Sequence, residues 1–181
     1  NLAAGLLANR SGLPVEKFIA ACNANDVVPE FCRTGKYEPK PSVSTLSNAM
    51  DVGDPSNFVR ILEIFNRNFN ELKGNIEAVS IRDEQTAETM RNVKSEFGYV
   101  LDPHGAVAYR ALSGHIEKHP GKKGIVLETA HPVKFDSVKN IIGEQVVVPK
   151  SISELFLREK VSIEIGTDYE TLKEILLERS K

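Results

Sequence analysis

The chain has 181 residues, and its 23 Lys and Arg against 25 Asp and Glu give a formal net charge of −2 at pH 7. This length allows one domain with a hydrophobic core. Because acidic and basic residues nearly balance, the charge gives no argument for nucleic acid or an anionic membrane as a partner. No apolar run reaches the ~18–20 residues of a membrane span, and we expect no signal peptide. Two cysteines do not make a disulfide framework, so we expect a cytoplasmic protein.

Apolar spacing, glycines and prolines predict the elements of the first half of the chain. In order, the pattern predicts a helix over 2–10 stopped by Gly12 and Pro14, a strand over 15–22, a short helix from Asp26 to Gly35, an irregular loop over 36–45, and a helix from about Pro55 to Gly74. The apolar residues of that last helix recur at helical spacing, which is typical of a core-facing surface.

The second half continues to alternate strands with helices. The pattern predicts a short strand or an extended link over 76–81 and strands over 99–101, 124–128 and 161–165. It predicts a helix capped by Asp83 that ends at Gly98 with Phe97 inward, helices from Asp102 to His115 and over 135–142, and a last helix that buries Tyr169, Leu172 and Leu176. This alternation favours an α/β fold with a mainly parallel sheet, in one domain over 1–181. Ligands of such sheets bind beyond the carboxyl ends of the strands, where loops at Asn23, Asp102 and Thr129 should lie.

A stretch dense in small polar residues, Ser47-Asn48-Ala49-Met50-Asp51-Val52-Gly53-Asp54-Pro55-Ser56-Asn57, precedes the apolar helix. One interpretation is a structured connection in which Asp54 or Ser56 caps the following helix, because Asn, Asp, Gly and Pro all favour turns. The other is a binding loop, because a hydroxyl, an amide, a carboxylate and a helix N-terminus together suit a small anionic ligand.

Four ordered segments of the chain resemble the threonine synthase family. The first is Thr45 to Val52 with Pro55-Ser56-Asn57. The others are Phe18-Ile19-Ala20-Ala21 with Asn23 to Asp26 and Val28-Pro29, Pro103-His104 with Ala106 to Leu112, and Thr129-Ala130-His131-Pro132 with Lys134-Phe135. The resemblance implies a three-layer α/β fold of the fold type II pyridoxal phosphate (PLP) enzymes, similar to tryptophan synthase β. It covers the C-terminal part of the family's protein, less than half of it.

The resemblance also implies a reaction. The parent enzyme would convert O-phospho-L-homoserine and water into L-threonine and phosphate, with PLP as its cofactor. The family's Schiff-base lysine would lie upstream of Asn1, so no catalytic residue is expected here. The chain alone is predicted to be inactive and to bind PLP weakly or not at all. Two alternatives stay open: another fold type II lyase such as a threonine dehydratase, or a non-catalytic α/β binding domain.

The family's site residues carry over to five positions. By resemblance, Asn1 opens the helix that faces the PLP phosphate, and Thr129 faces the pyridine nitrogen. Asn48, Asp51 and His131 are candidates for substrate binding. Each has a structural interpretation too, as an ordinary helix start, a strand end bonded to local backbone, a loop cap or a turn histidine. The four histidines show no metal-ligand spacing, so no metal is expected. We expect self-association through an exposed sheet edge.

Overall fold

The computed structural model describes the backbone of residues 1–179, which divides into one compact unit over Asn1–Val146 and a second that begins at Val147. The helices and strands of the first unit are α1 (Leu2–Arg10), β1 (Phe18–Cys22), α2 (Val27–Thr34), α3 (Val59–Ile64), α4 (Phe69–Asn75), β2 (Ile76–Ser80), α5 (Asp83–Phe97), α6 (Pro103–Lys118) and α7 (Ser137–Ile142). The second unit contains α8 (Tyr169–Arg179). Short 3-10 turns lie at Asn48–Met50, Ser56–Phe58, Pro132–Lys134 and Ser153–Leu157. The expectation of one domain over 1–181 stays a prediction.

The two strands pair in parallel, from Phe18 opposite Ile76 to Cys22 opposite Ser80. Helices α1, α2, α4 and α6 contact these strands. A parallel pair needs a long crossover, and the chain supplies it with the 53 residues and three helices that separate Cys22 from Ile76. The predicted α/β fold with a parallel sheet flanked by helices is confirmed.

Two apolar clusters form the core of the first unit. One joins α1, α2, α3 and α4 to β2 through Leu6, Phe31, Cys32, Phe58, Ile61, Phe65, Leu72 and Ile76. The other joins α5, α6 and α7 through Met90, Val93, Leu101, Ala106 and Val138. Phe31 meets the rings of Phe58 and Phe69 edge-on, at centroid distances of 5.1 and 5.6 Å. The core face predicted for the apolar residues over 58–72 is confirmed.

Several helix ends lie where glycine and proline predicted them. Gly35 and Gly98 end α2 and α5 in the left-handed conformation, with φ of 76° and 68°. Gly12, at φ 106°, follows the end of α1. Asp102 caps α6 with Pro103 at the first helical position.

The single helix predicted from Pro55 to Gly74 is wrong. The segment forms a 3-10 turn, α3 and α4, because Asn66 and Arg67 adopt φ of 48° and 58° and interrupt the helix. Asn68 then caps α4 by accepting a hydrogen bond from the Glu71 N–H at 3.1 Å. The start of α3 also differs from the prediction, since no side chain of Asp54 or Ser56 caps it.

Several predicted strands and burials are wrong as well. Residues 99–101, 124–128 and 161–165 form no strand, and Ile125 is 87% exposed. Apolar composition makes a strand only when another strand pairs with it, and within residues 1–179 these segments have no such partner. The last helix leaves Tyr169, Leu172 and Leu176 exposed, and Phe97 at the end of α5 is exposed too.

No helix within residues 1–179 has the length and apolar composition needed to cross a membrane.

Candidate functional site

Asn23, the residue after β1, anchors a loop over the carboxyl end of the sheet. Its side chain is buried, at 1% exposure. The amide nitrogen lies 2.9 Å from Thr45 Oγ1, 3.1 Å from Ser47 Oγ and 2.9 Å from Asp51 Oδ1. The Ser80 hydroxyl, at the end of β2, donates to the Asn23 carbonyl at 2.8 Å. Residues 45–51, called the 45–51 loop below, therefore lie where ligands of parallel sheets bind.

Asp51 closes the 45–51 loop on itself. One carboxylate oxygen accepts from the Thr45 hydroxyl at 2.7 Å and from the Asn25 amide at 3.1 Å, besides the bond from Asn23. The other accepts from the Thr45 N–H at 3.0 Å. Because both oxygens already have donors inside the loop, this side chain shapes the loop.

Two helix starts also hold the loop. The Asp83 carboxylate, in the first turn of α5, accepts from the Leu46 N–H at 3.1 and 3.2 Å. The His104 Nε2, in the first turn of α6, accepts from the Ala49 N–H at 3.2 Å. The loop is thus fixed by side chains that follow both strands and by the first turn of α6.

The first turn of α6 contains a buried carboxylate next to a histidine. Asp102 is 0% exposed, and its Oδ1 accepts from the His104 N–H at 2.8 Å and lies 2.6 Å from His104 Nδ1. The Asp102 N–H donates to Glu128 Oε1 at 3.0 Å. A Cβ added to Gly105 would lie 2.7 Å from the Glu128 carboxyl carbon, so the missing side chain at Gly105 leaves room for this carboxyl group.

Burial raises the pKa of Glu128 to about 7, and the hydrogen bond from the Asp102 N–H opposes this rise. The neighbouring Asp102 carboxylate adds to the rise in the pKa of Glu128, because a second negative charge close to the first is unfavourable. The Glu128 charge in turn raises the pKa of the Tyr99 phenol. Glu128 therefore titrates near neutral pH, one residue before Thr129.

The five residues carried over by resemblance take different positions. Asn1 is exposed at the start of α1, and its side chain makes no capping hydrogen bond. Asn48 is exposed on the loop's 3-10 turn, whereas Asp51 is half-buried in the loop. Thr129 and His131 are exposed, and His131 Nδ1 accepts from the Val133 N–H at 3.2 Å. The binding roles of these residues stay predictions.

Two features fit the parts of pyridoxal phosphate that need hydrogen-bond partners. The first N–H groups of the nine-residue helix α1 have no acceptor within the helix, which begins its bonding with Gly5 N–H to the Asn1 carbonyl at 2.9 Å. Such a helix start suits a phosphate. The Thr129 hydroxyl has no hydrogen-bond partner within the described side chains and can donate to a pyridine nitrogen. The donors present fit this cofactor.

The described residues contain no group of three or more His, Cys, Asp or Glu side chains that could hold a metal ion.

Sequence reasoning missed two residues that hold the loop, Asp83 and His104, and it missed the Glu128 carboxyl that accepts from the Asp102 N–H. Asp83 was assigned to helix capping and Glu128 to a strand. Their contacts join positions 26 to 55 residues apart in the chain, so no local pattern indicates them. The Asp102-Pro103-His104 cap was visible, but it did not show which loop the imidazole would reach.

Comparison with family models settles the family. The model described as "Pyridoxal-phosphate dependent enzyme" matches residues 1–128. The chain belongs to this family. A second model, "Threonine synthase, C-terminal", matches residues 105–176 of this PLP-family chain.

Relatives of this PLP-family chain carry the name threonine synthase. The chain is 44% identical to the Escherichia coli K12 protein and 47% identical to that of Serratia marcescens, over 98% and 84% of its length. It spans only 41% and 35% of those two proteins. The predicted resemblance to part of threonine synthase is confirmed.

Solved structures agree with the sequence matches. The crystal structure of threonine synthase from E. coli superposes on 98% of the chain with a TM-score of 0.86, and the chain covers 41% of it. The PLP-bound threonine synthase of Brucella melitensis is 28% identical and superposes with a TM-score of 0.78, over 98% of this chain and 43% of that one. The fold type II prediction and the prediction of PLP as the parent enzyme's cofactor are confirmed.

Proposed function

We propose that this chain is part of a threonine synthase, which converts O-phospho-L-homoserine and water into L-threonine and phosphate. The observation that carries the proposal is the 44% identity to a protein of that name over 98% of the chain. The position of the 45–51 loop beyond the ends of both strands supports it, because amino-acid substrates need a polar site there.

The chain's own residues supply binding and orientation. The first turn of α1, after Asn1, holds the cofactor phosphate with its free N–H groups. The Thr129 hydroxyl bonds the pyridine nitrogen and orients the ring. Asn48 on the loop's turn and His131 contact the substrate, and Asp51 keeps the loop in shape. PLP supplies the electron withdrawal that the reaction needs.

We place the lysine that attaches the cofactor outside this chain, so that the chain alone is inactive and retains PLP poorly. The cytoplasm is the location we propose, because threonine synthesis needs no secreted enzyme and Cys22 and Cys32 are both free thiols.

Product analysis with the full-length gene product tests the proposed reaction. Incubated with PLP and O-phospho-L-homoserine, it should release L-threonine and phosphate in equal amounts. A 2-oxo acid with ammonia from threonine would indicate a dehydratase, and no turnover of either substrate would indicate a binding protein. Either result contradicts the proposal.

Two variants of Thr129 test its role in the same assay. Thr129→Ala removes the hydroxyl and should lower kcat/KM by about tenfold or more, the cost of one hydrogen bond to a reacting cofactor. Thr129→Ser keeps the hydroxyl and should stay within a few-fold of the wild type. Equal losses in both variants would exclude the hydroxyl as the ring-nitrogen partner.

We also propose that the chain self-associates when it is produced alone. Each described strand has a single strand neighbour, and Ile125 and Leu127 are 87% and 59% exposed in an extended apolar segment. Sedimentation velocity should show oligomers that Ile125→Lys weakens, while Leu13→Lys, at a residue that is 50% exposed, leaves them unchanged. A monomer at all concentrations would contradict the proposal.

A further inference from the structure

His104 connects the first turn of α6 to the middle of the 45–51 loop. Its side chain is 8% exposed and packs against the Phe135 ring at 4.9 Å between ring centroids. One ring nitrogen lies 3.2 Å from the Ala49 N–H and the other lies 2.6 Å from Asp102 Oδ1. The imidazole thus bridges a backbone donor and a buried carboxylate.

The two contacts determine where the imidazole proton sits. A backbone N–H can only donate, so His104 Nε2 must present its lone pair to Ala49. The proton therefore resides on Nδ1 and is donated to Asp102. A second proton on Nε2 would remove the acceptor, so the contact with Ala49 requires the neutral imidazole.

Asp102 is held in place to orient that imidazole. Its Oδ1 accepts from the His104 N–H, which fixes the carboxylate as the cap of α6, and its own N–H donates to Glu128. Asp102 Oδ2 is buried and has no hydrogen-bond partner within the described side chains. A proton on the neighbouring Glu128 carboxyl would supply the missing donor. The Asp102 carboxyl thus faces the His104 imidazole on one side and the Glu128 carboxyl on the other, and the Tyr99 phenol lies next to Glu128.

The other side-chain anchors of the loop bind its two ends and not its middle. Asn23 and Asp83 bind residues 45–47 and Asp51, which are the two ends of the loop. Only the bond from Ala49 to His104 joins the Asn48–Met50 turn to another element within the described residues. The position of the Asn48–Met50 turn relative to α6 therefore depends on this contact.

We propose that His104, as a neutral imidazole oriented by Asp102, is a positioning residue that holds the Asn48–Met50 turn in the conformation that binds the amino-acid substrate. This inference rests on the proposed function for the identity of the substrate, but not for the contact itself. His104 acts through the loop backbone and touches no reacting atom.

Two substitutions separate the two ring nitrogens. In His104→Gln the side-chain oxygen can replace Nε2 as the acceptor for Ala49, and the donor to Asp102 is lost. In His104→Asn the side-chain amide can replace the Nδ1 donor, and the acceptor for Ala49 is lost. Both variants keep the Asp102 cap of α6, so they are matched controls for each other.

In the full-length enzyme, His104→Asn should raise KM for O-phospho-L-homoserine by about tenfold while kcat stays within about threefold, because the binding conformation becomes a minor population. His104→Gln should keep KM within about threefold of the wild type. A merely structural histidine would lower kcat and folded protein together in both variants, and that result would overturn the proposal.

Two measurements do not depend on activity. Hydrogen exchange of the Ala49 amide should be about tenfold faster in His104→Asn than in the wild type and unchanged in His104→Gln. Imidazole 15N shifts of the wild-type protein should show a protonated Nδ1 and a bare Nε2 at pH 7. A protonated Nε2, or Ala49 exchange equal in all three proteins, would overturn the proposal. If these measurements hold but no threonine forms, the proposed function fails and the positioning role stands.

Discussion

At the residue scale, the absence of a side chain at Gly53 lets its backbone approach the backbone of Lys40 closely. A Cβ there would lie 1.8 Å from the Lys40 carbonyl oxygen, which is closer than any non-bonded contact allows. The Lys40 N–H also donates to the Gly53 carbonyl at 3.0 Å, so the two backbones are joined at this point. The chain that leads from α2 into the 45–51 loop depends on the absent side chain.

Gly53→Ala should therefore destabilise the protein, by about 1–3 kcal/mol if the backbones separate, as in other overpacked sites. Gly74→Ala is the control, because a Cβ at Gly74 in α4 meets nothing within 4 Å and should stabilise the helix by up to about 1 kcal/mol. Urea unfolding measures the free energy of unfolding of both variants. Equal stabilities in the two variants would show that the close approach at Gly53 does not exist in solution.

Glu128 makes the stability of the protein depend on pH. Its pKa is raised from 4.5 to about 7 in the folded chain, so the folded state favours the neutral carboxyl. This contribution to stability is fully present below about pH 4.5 and is lost as the pH rises through 7. Glu128→Gln mimics the neutral form and should have the higher Tm at pH 8, with a smaller difference at pH 4.5.

The exposed Glu117→Gln is the control for that comparison, because it removes one negative charge from the surface of α6. Thermal melts between pH 4.5 and 8 measure the Tm of the wild type, Glu128→Gln and Glu117→Gln. If Glu128→Gln has the same pH dependence as the wild type, the Glu128 carboxyl does not carry the proton that Asp102 lacks.

At the scale of secondary-structure elements, the break between α3 and α4 is the main feature that the sequence did not predict. Asn66 and Arg67 adopt left-handed φ angles, and Asn68 restarts the helix. Asn66 was the available signal for the left-handed turn, since Asn is the residue other than Gly that most often tolerates this conformation, and Asn68 was the signal for a new helix cap. The continuous apolar spacing outweighed it, because both short helices face the same core.

Asn68→Ala should cost about 1 kcal/mol, because it removes the side chain that accepts from the Glu71 N–H. Asn70→Ala, at an exposed position in the first turn of α4, should be neutral or slightly stabilising, because Ala is the better helix former. Urea midpoints of the two variants measure the difference. A loss as large in Asn70→Ala would show that the cap does not determine where α4 begins.

Elements with local signals were predicted well. Helix ends at Gly12, Gly35 and Gly98 and the Asp102-Pro103 start follow from the conformations that these residues adopt, whatever the rest of the fold does. The strand predicted over 124–128 failed because a strand depends on its neighbour. Its apolar residues, including the exposed Ile125, have no pairing strand within residues 1–179.

At the scale of the whole molecule, the candidate site could be predicted from the sequence only in part. Parallel strands direct ligands to their carboxyl ends, so the loop at Asn23 followed from the predicted strand order. Residues 47–57 were indicated instead by their small polar side chains and by the family resemblance. The residues that hold the loop could not be predicted in this way. Asp83 and His104 reach the loop, and Glu128 reaches Asp102, from positions far away in sequence, so these contacts form only after the elements have packed.

Mapping the PLP attachment site tests the central claim most directly. The claim is that these residues contribute the loop and the ring-nitrogen hydroxyl of a PLP-dependent threonine synthase, and that the attaching lysine lies outside 1–181. The full-length gene product is loaded with PLP, reduced with borohydride and digested, and the pyridoxyl peptide is located by mass spectrometry. We expect a single modified lysine outside this chain. A single modified lysine within residues 1–181, or none at saturating PLP, would contradict the claim.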